Sequence, residues 1–179
     1  MTDGELVRRV VAGDTAAYGE LVRRWFRRIL AFCQSRVFSQ DAEDLAQDVL
    51  IRGFANLTSL VNPEQFGGWL RGIANNTCAD WCRGRQRQQV SIESSQWQAE
   101  LAIANGENGI ADDERAIIVQ QLATIPEDLR EVVLLRYYEN LTYDEMAQWL
   151  GVARATVNER LAMARALLRI RLAKLRSDV

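Results

Sequence analysis

The amino-acid sequence predicts an all-α protein made of two small helical domains joined by a flexible acidic linker, with a helix-turn-helix in the second domain. Apolar residues recur every three or four positions along most of the 179 residues, as they do on the inward face of a helix. No stretch of the sequence shows the sustained alternation of a strand, and Pro63 and Pro126, its two prolines, both stand where a helix would begin. The helical pattern stops between residues 88 and 112. We therefore expect domains over residues 1–87 and 113–179 with a linker between them.

The first domain is predicted to contain four helices. Thr2 to Glu5 has the Thr-x-x-Glu pattern of a capping box and would open the first helix. Asp14 is expected to cap the long second helix, Ser39 to open the third, and the fourth to begin near Pro63. The predicted inward residues of the third helix are Ala42, Leu45, Ala46, Val49, Leu50 and Phe54. The acidic residues of that helix then lie on its other faces.

The charges are unevenly distributed, although the formal net charge is only −2. Residues 69–87 carry four arginines against Asp80 alone, and residues 151–179 carry seven basic residues against two acids. Residues 88–114 contain six acids and no basic residue. Either basic segment by itself would also fit a solvated helix face. Two of them separated by an acidic segment indicate two contacts with a polyanion.

Residues 88–112 form the predicted linker. They are rich in serine and glutamine and include the turn-forming run from Asn105 to Gly109. Such a stretch has little to bury, and it is too long for an ordinary loop within one compact domain. We interpret it as a flexible connection.

Residues 142–165 have the pattern of a helix-turn-helix. Thr142 and Glu145 form a second capping box, Gly151 stands where a left-handed residue ends a short helix, and the next helix starts near Arg154. An αα-hairpin that never touches DNA would share this pattern, but the polar start of the second helix and its basic face favour DNA. Arginine, asparagine and glutamate can read base edges, and the later arginines suit phosphates. The candidate DNA-binding residues here are Arg154, Ala155, Thr156, Asn158, Glu159, Arg160 and Arg165.

Several classes of protein are disfavoured. The sequence has no histidine and no glycine-rich phosphate loop, so an enzyme is a weak hypothesis and we expect no catalytic residues. Cys33, Cys78 and Cys82 lack the partners of a metal site and are interpreted as core thiols, so neither a metal nor a cofactor is expected. No stretch approaches the roughly 20 apolar residues of a membrane span, and the first residues lack the features of a signal peptide. We therefore expect a cytoplasmic protein without membrane insertion.

Three stretches, in this order, resemble a bacterial sigma factor of the extracytoplasmic-function (ECF) class in its two-domain form. Asp41 to Val49 (DAEDLAQDV) looks like the acidic helix that docks on the clamp coiled coil of RNA polymerase. Trp69 to Asn76 (WLRGIANN), followed by Asp80 and Arg83, looks like the segment that reads and opens the −10 element. Leu122 to Leu168 looks like the domain that reads the −35 element.

The resemblance implies a site on each stretch. The implied polymerase-binding residues are Asp41, Asp44, Leu45, Gln47 and Asp48. The implied −10 DNA-binding residues are Arg71, Asn75, Asn76, Trp81, Arg83, Arg85 and Arg87. The asparagines suit a base edge and the arginines suit phosphates, whereas Trp81 would either stack on a base or pack in the core. Glu159 and Gly84 depart from the usual pattern of the class and leave the promoter sequence open.

The leading hypothesis is therefore a promoter-specificity subunit without catalytic activity of its own. It would bind core RNA polymerase, read the −35 and −10 elements of promoter double-stranded DNA, and nucleate melting by holding the non-template single strand. The resemblance also implies that the acidic linker threads toward the active-site and RNA-exit region, and it adds an anti-sigma factor as a candidate partner. The alternative is a helix-turn-helix transcription regulator that acts without being a polymerase subunit. The acidic face with Asp44, Gln47 and Asp48 distinguishes the two, because a plain regulator has no reason to display it.

Overall fold

The structure is a computed structural model that describes residues 1–37, 41–89 and 112–177. These residues form eight α-helices, and no strand occurs among them. They divide into two compact units, one formed by the described residues up to Gln89 and one by those from Asp112 onward. The predicted all-α, two-domain fold class is confirmed. Most of the predicted linker and the predicted helix start at Ser39 lie outside the described residues.

Unit one is a bundle of four α-helices. Two 3₁₀ turns, Leu57–Ser59 and Pro63–Gln65, connect the last two of them. The helices are α1 (Asp3–Val11), α2 (Ala16–Arg36), α3 (Asp41–Ala55) and α4 (Phe66–Gln89). Helix α2 packs against each of the other three, and α3 also packs against α4.

The first two helix starts follow from local hydrogen bonds. The predicted capping box is confirmed: the Glu5 amide donates to Thr2 Oγ1 (3.2 Å) and the Thr2 amide donates to Glu5 Oε2 (2.7 Å). The N-cap of α2 is Thr15, one residue after the predicted Asp14, and the Thr15 side chain makes no capping hydrogen bond. The hydrogen bond that Arg9 donates to the Asp14 carboxylate lowers the pKa of Asp14, and the nearby amides of Ala16 and Ala17 act in the same direction.

The core of unit one contains the apolar faces of all four helices. Its largest fully buried side chains include Phe32, Phe66, Leu21, Ile29 and Leu70. Five of the six predicted inward residues of α3 are buried. The prediction for Phe54 was wrong, because its side chain is 45% exposed at the edge of the bundle, where it contacts the Tyr18 ring at 4.9 Å between centroids.

Unit two contains the remaining four helices, which are α5 (Asp112–Ala123), α6 (Glu127–Tyr137), α7 (Tyr143–Leu150) and α8 (Arg154–Ser177). Part of its core is a cluster of Leu122, Ile125, Leu129, Val133 and Ala164. The buried guanidinium of Arg130 donates to the carbonyl oxygens of Leu122, Ala123 and Ile125 at 2.8–2.9 Å. Arg130 thereby binds carbonyl groups at the end of α5 and just beyond it, where a helix runs out of intrahelical donors.

Within the described ranges, no helix has the length and apolar character needed to cross a membrane.

Candidate polymerase and DNA interfaces

Helix α3 carries the predicted polymerase-binding residues on different sides. Asp44 and Gln47 are exposed, and Asp48 is half-exposed with an ion pair to Arg52 at 2.8 Å. Leu45 is only 8% exposed and belongs to the core instead. Asp44, Gln47, Asp48 and Ile51 follow an i, i+3, i+4, i+7 spacing, which places them on one stripe of the helix. We call this set the α3 stripe.

Ile51 is a residue of the α3 stripe that the sequence analysis missed. Its side chain is 67% exposed, although isoleucine is among the residue types most often buried. The spacing from Asp44 was a signal that could have found it. The acidic stripe therefore ends in an exposed apolar residue, a combination that suits a surface that binds another protein.

Asp41, the fifth predicted polymerase-binding residue, makes an ion pair within unit one. Arg85 Nη1 donates to Asp41 Oδ2 at 3.0 Å, and both side chains are half-buried. Asp41 thus belongs to a contact between the beginning of α3 and the end of α4.

The predicted −10 residues of α4 lie on two sides of the helix. Asn75, Asn76 and Arg83 are exposed together, and Arg83 forms an ion pair with Asp80. We call the surface formed by Asn75, Asn76 and Arg83 the α4 outer face.

The remaining residues of the −10 set are partly buried or lie outside the described side chains. The Arg71 guanidinium lies over the Phe32 ring (5.3 Å), and that of Arg85 lies over Trp81 (5.0 Å). Arg71, Trp81 and Arg85 are all half-buried. The backbone of Arg87 is helical, but its side chain lies outside the part that the structure describes.

The helix-turn-helix forms as the sequence predicted. Glu145 and Thr142 complete the capping box of α7, with the Glu145 amide donating to Thr142 Oγ1 at 3.3 Å. Gly151 ends α7 with a left-handed φ of 66°, a conformation that glycine adopts without a Cβ penalty. Trp149 Nε1 donates to the buried Glu131 carboxylate at 3.2 Å, which fixes α7 against α6. Helix α8 begins three residues after Gly151, at Arg154.

Helix α8 separates its buried and exposed sides cleanly near its start. Val157 and Leu161 are fully buried. The exposed side carries Arg154, Ala155, Asn158 and Glu159, which we call the α8 reading face. Thr156 is half-buried between the two sides.

The predicted phosphate contacts of α8 have acceptors within unit two. Arg160 is half-buried and lies 3.5 Å from the Asp128 carboxylate. The Arg165 Nε donates to the Tyr137 hydroxyl at 2.9 Å, and this hydrogen bond raises the pKa of Arg165. Arg165 is exposed and remains accessible from solvent, so it fits a phosphate contact better than Arg160 does.

Comparison with known families defines the class of this protein. The family model described as Sigma-70 region 2 matches residues 17–88, and the model described as Sigma-70, region 4 matches residues 115–168. The first match covers most of unit one and the second covers the helix-turn-helix. Both regions in one chain, in this order, define a sigma-70-type factor of RNA polymerase.

A relative narrows the class to one family. The chain is 31% identical over 174 residues to the ECF RNA polymerase sigma-E factor of Escherichia coli (strain K12), an alignment that covers 92% of this chain and 91% of that protein. The chain belongs to the ECF family of RNA polymerase sigma factors. A helix-turn-helix regulator that is not a polymerase subunit is no longer favoured.

Solved structures share the fold. CnrH, solved in complex with the cytosolic domain of CnrY, matches with a TM-score of 0.64 and 24% identity over 96% of this chain and 97% of that chain. The sigma factor RpoE of Bartonella quintana, solved with the anti-sigma factor NepR, matches with a TM-score of 0.56 and 24% identity over 87% and 96% of the two chains. At these identities the likeness shows the fold alone.

Proposed function

We propose that this sigma factor acts through three separate surfaces. The α3 stripe binds core RNA polymerase, the α4 outer face binds the −10 element, and the α8 reading face binds the −35 element. The observation that carries the proposal is the α3 stripe, because it exposes two acidic residues, a glutamine and an isoleucine on a helix whose other side is buried. Acidic residues next to an exposed apolar one suit a partner surface that is basic and partly apolar.

The α4 outer face is suited to an unstacked base. Side-chain amides donate and accept hydrogen bonds, so Asn75 and Asn76 can contact a base edge that has left the duplex. Unstacking costs roughly a few kcal/mol per base step, and contacts made only with the open strand can offset that cost. Arg83 can bind a DNA phosphate after its ion pair with Asp80 breaks. The half-buried Arg71, Trp81 and Arg85 then support the helix more than they contact DNA.

The α8 reading face is suited to the major groove. A helix-turn-helix places the N-terminal residues of its second helix against base edges, which is where Arg154, Asn158 and Glu159 lie. Arg154 suits guanine, Asn158 suits adenine, and Glu159 suits the amino group of cytosine. Arg165, about three helical turns beyond Arg154, suits a phosphate.

The proposal also covers the partners and location of the protein. The Bartonella quintana factor was solved with an anti-sigma factor, and we extend that class of partner to this chain. We place the protein in the cytoplasm, where polymerase and promoter DNA are found. We assign it no catalytic activity of its own, because a promoter-specificity subunit needs none.

The polymerase surface can be tested by a pull-down of core RNA polymerase with the full chain. Asp44→Arg combined with Asp48→Arg should reduce capture at least tenfold, because charge reversal on the stripe places like charges together. The matched control is Glu43→Arg combined with Glu64→Arg. It adds the same charge to unit one and also removes the acid of one exposed ion pair, that of Arg8 and Glu64.

Circular dichroism checks that both double variants remain helical. Capture lost by the stripe variant and kept by the control supports the proposal. Equal capture by the stripe variant and the wild type would overturn the polymerase assignment.

A further inference from the structure

The beginning of α8 is held by an acidic residue of the preceding helix. Arg154 Nη1 lies 3.3 Å and 3.2 Å from the two carboxylate oxygens of Asp144, which is in the first turn of α7. The Arg154 guanidinium also lies 6.0 Å from the centre of the Tyr143 ring. The two charged side chains are 67% and 73% exposed, so water reaches both.

The contact with Asp144 uses only one nitrogen of the Arg154 guanidinium. Both Asp144 oxygens face Nη1, whereas among the residues that the structure describes Nε and Nη2 meet no acceptor. A guanidinium carries its donors in a rigid planar fork, so fixing one nitrogen also fixes the direction of the opposite edge. Guanine presents O6 and N7 as a pair of acceptors in the major groove, and two parallel donors of arginine match them.

The contact has little value for stability. An exposed ion pair contributes little to folding because it is hydrated in the unfolded chain and screened by salt. A carboxylate near a DNA-binding face also repels phosphates, which lowers affinity for every sequence. Orientation is the benefit that remains, since a long arginine side chain loses rotamer freedom when it binds.

We propose that Asp144 is a specificity-determining positioning residue for the −35 element. It orients Arg154 so that the Nε–Nη2 edge faces the base, and guanine at that position is favoured over the other three bases. Asp144 itself touches no base. The inference rests on the proposed function, in which Arg154 reads the −35 element.

The test uses the full chain bound to core polymerase. Promoters with a randomised −35 element, each linked to a transcribed barcode, are transcribed in vitro and the transcripts are sequenced. The −10 portion comes from a promoter found by run-off transcription of a genomic library. Arg154→Ala identifies the position that Arg154 reads, as the position where base preference disappears.

Asp144→Asn should then lower the preference for guanine at that same position by roughly two- to tenfold, the range expected from the ordering of one long side chain. Total transcription should stay equal or rise, because a charge that repels phosphates is gone. In the Arg154→Ala background, Asp144→Asn should change no base preference. Glu127→Gln removes one exposed acid of unit two away from this pair and should leave preferences at every position unchanged.

Two different results would contradict the inference, one through Arg154 and one through Asp144. An Arg154→Ala profile identical to that of the wild type would remove the proposed base contact and the inference with it. In the second result, Arg154→Ala loses its base preference while Asp144→Asn keeps the wild-type profile. That result would support the base contact of Arg154 and overturn the role of Asp144. Thermal melting of each variant checks that α7 still forms.

Discussion

The Arg85 guanidinium donates a hydrogen bond to the Asp41 carboxylate at 3.0 Å and so joins the end of α4 to the beginning of α3. The two helices carry the surfaces proposed to bind the −10 element and the polymerase. Asp41 was expected to contact polymerase and Arg85 to contact DNA, and in the free protein each has the other as a partner.

The Asp41–Arg85 pair should be energetically coupled. Asp41→Asn and Arg85→Gln should each lower the free energy of unfolding by about 0.5–1 kcal/mol, a small effect because the side chains are 29–40% exposed. The double variant should lose less than the sum, since each single change already removes the pair. Urea unfolding of the four proteins measures this.

The same variants separate a direct role of Asp41 from a positioning role. If Asp41 acts through Arg85, both single variants should weaken core polymerase binding equally in an assay without DNA. Weaker binding for Asp41→Asn alone would show that its carboxylate contacts polymerase.

Arg165 and Arg154 should differ in what their loss does to promoter binding by the complex with core polymerase. Arg165→Ala should weaken binding to all −35 sequences alike and reduce the slope of log affinity against log salt by roughly one, because one phosphate contact is lost. Arg154→Ala should mainly flatten base preference. Affinities measured over a salt series on several promoters provide both quantities.

Tyr137→Phe is the matched control for Arg165, because it removes only the hydroxyl that accepts from Arg165 Nε. We expect it to leave the salt slope unchanged. Identical losses for Arg154→Ala and Arg165→Ala on every sequence would contradict the major-groove assignment.

Gly53 should not tolerate a side chain. A Cβ at this position would lie 2.8 Å from Leu70 Cδ1 and 2.9 Å from the Tyr18 hydroxyl, which itself donates to the Leu50 carbonyl at 2.6 Å. Gly53→Ala should therefore destabilise unit one by about 1–3 kcal/mol. Gly72→Ala is the control, because nothing lies within 4 Å of its added Cβ and alanine favours a helix by up to about 1 kcal/mol. An equal fall in the melting temperature of both variants would contradict the close approach of Gly53 to Leu70 and Tyr18.

The cysteines should differ in reactivity. The Sγ atoms of Cys33 and Cys78 lie 3.7 Å apart in the core, and the hydrogen bond between them, together with burial, raises the pKa of the Cys33 thiol. A raised pKa leaves the neutral thiol at pH 8, and only the thiolate reacts with alkylating reagents. Cys82 is half-exposed. Iodoacetamide should label Cys82 first and Cys33 on the order of a hundredfold more slowly, at the rate of local opening.

Mass spectrometry of peptides gives the labelling rates, and Cys82→Ser should remove the fast phase. Labelling of Cys33 at the rate of Cys82 would show that the core around α2 and α4 is open to solvent.

Local features of the fold were predictable because their causes are local. The two capping boxes depend on residues three positions apart, and Gly151 depends on its own φ, so Thr2, Thr142 and Gly151 could be assigned from the sequence. The class of protein was also predictable, since three motifs occur in the order and spacing of a sigma factor. The residue-level roles on the three surfaces remain predictions.

The sequence by itself determined the helical pattern, the helix-turn-helix and the separation of charge along the chain. Only the tertiary structure decided which charged residues face solvent and which face each other. Asp41 meets Arg85 across 44 positions and Asp144 meets Arg154 across 10, whereas Leu45 and Phe54 differ in burial although both were predicted to face inward. The physical reason is that helical periodicity gives the side of a helix but not its neighbours, because neighbours depend on how the helices pack.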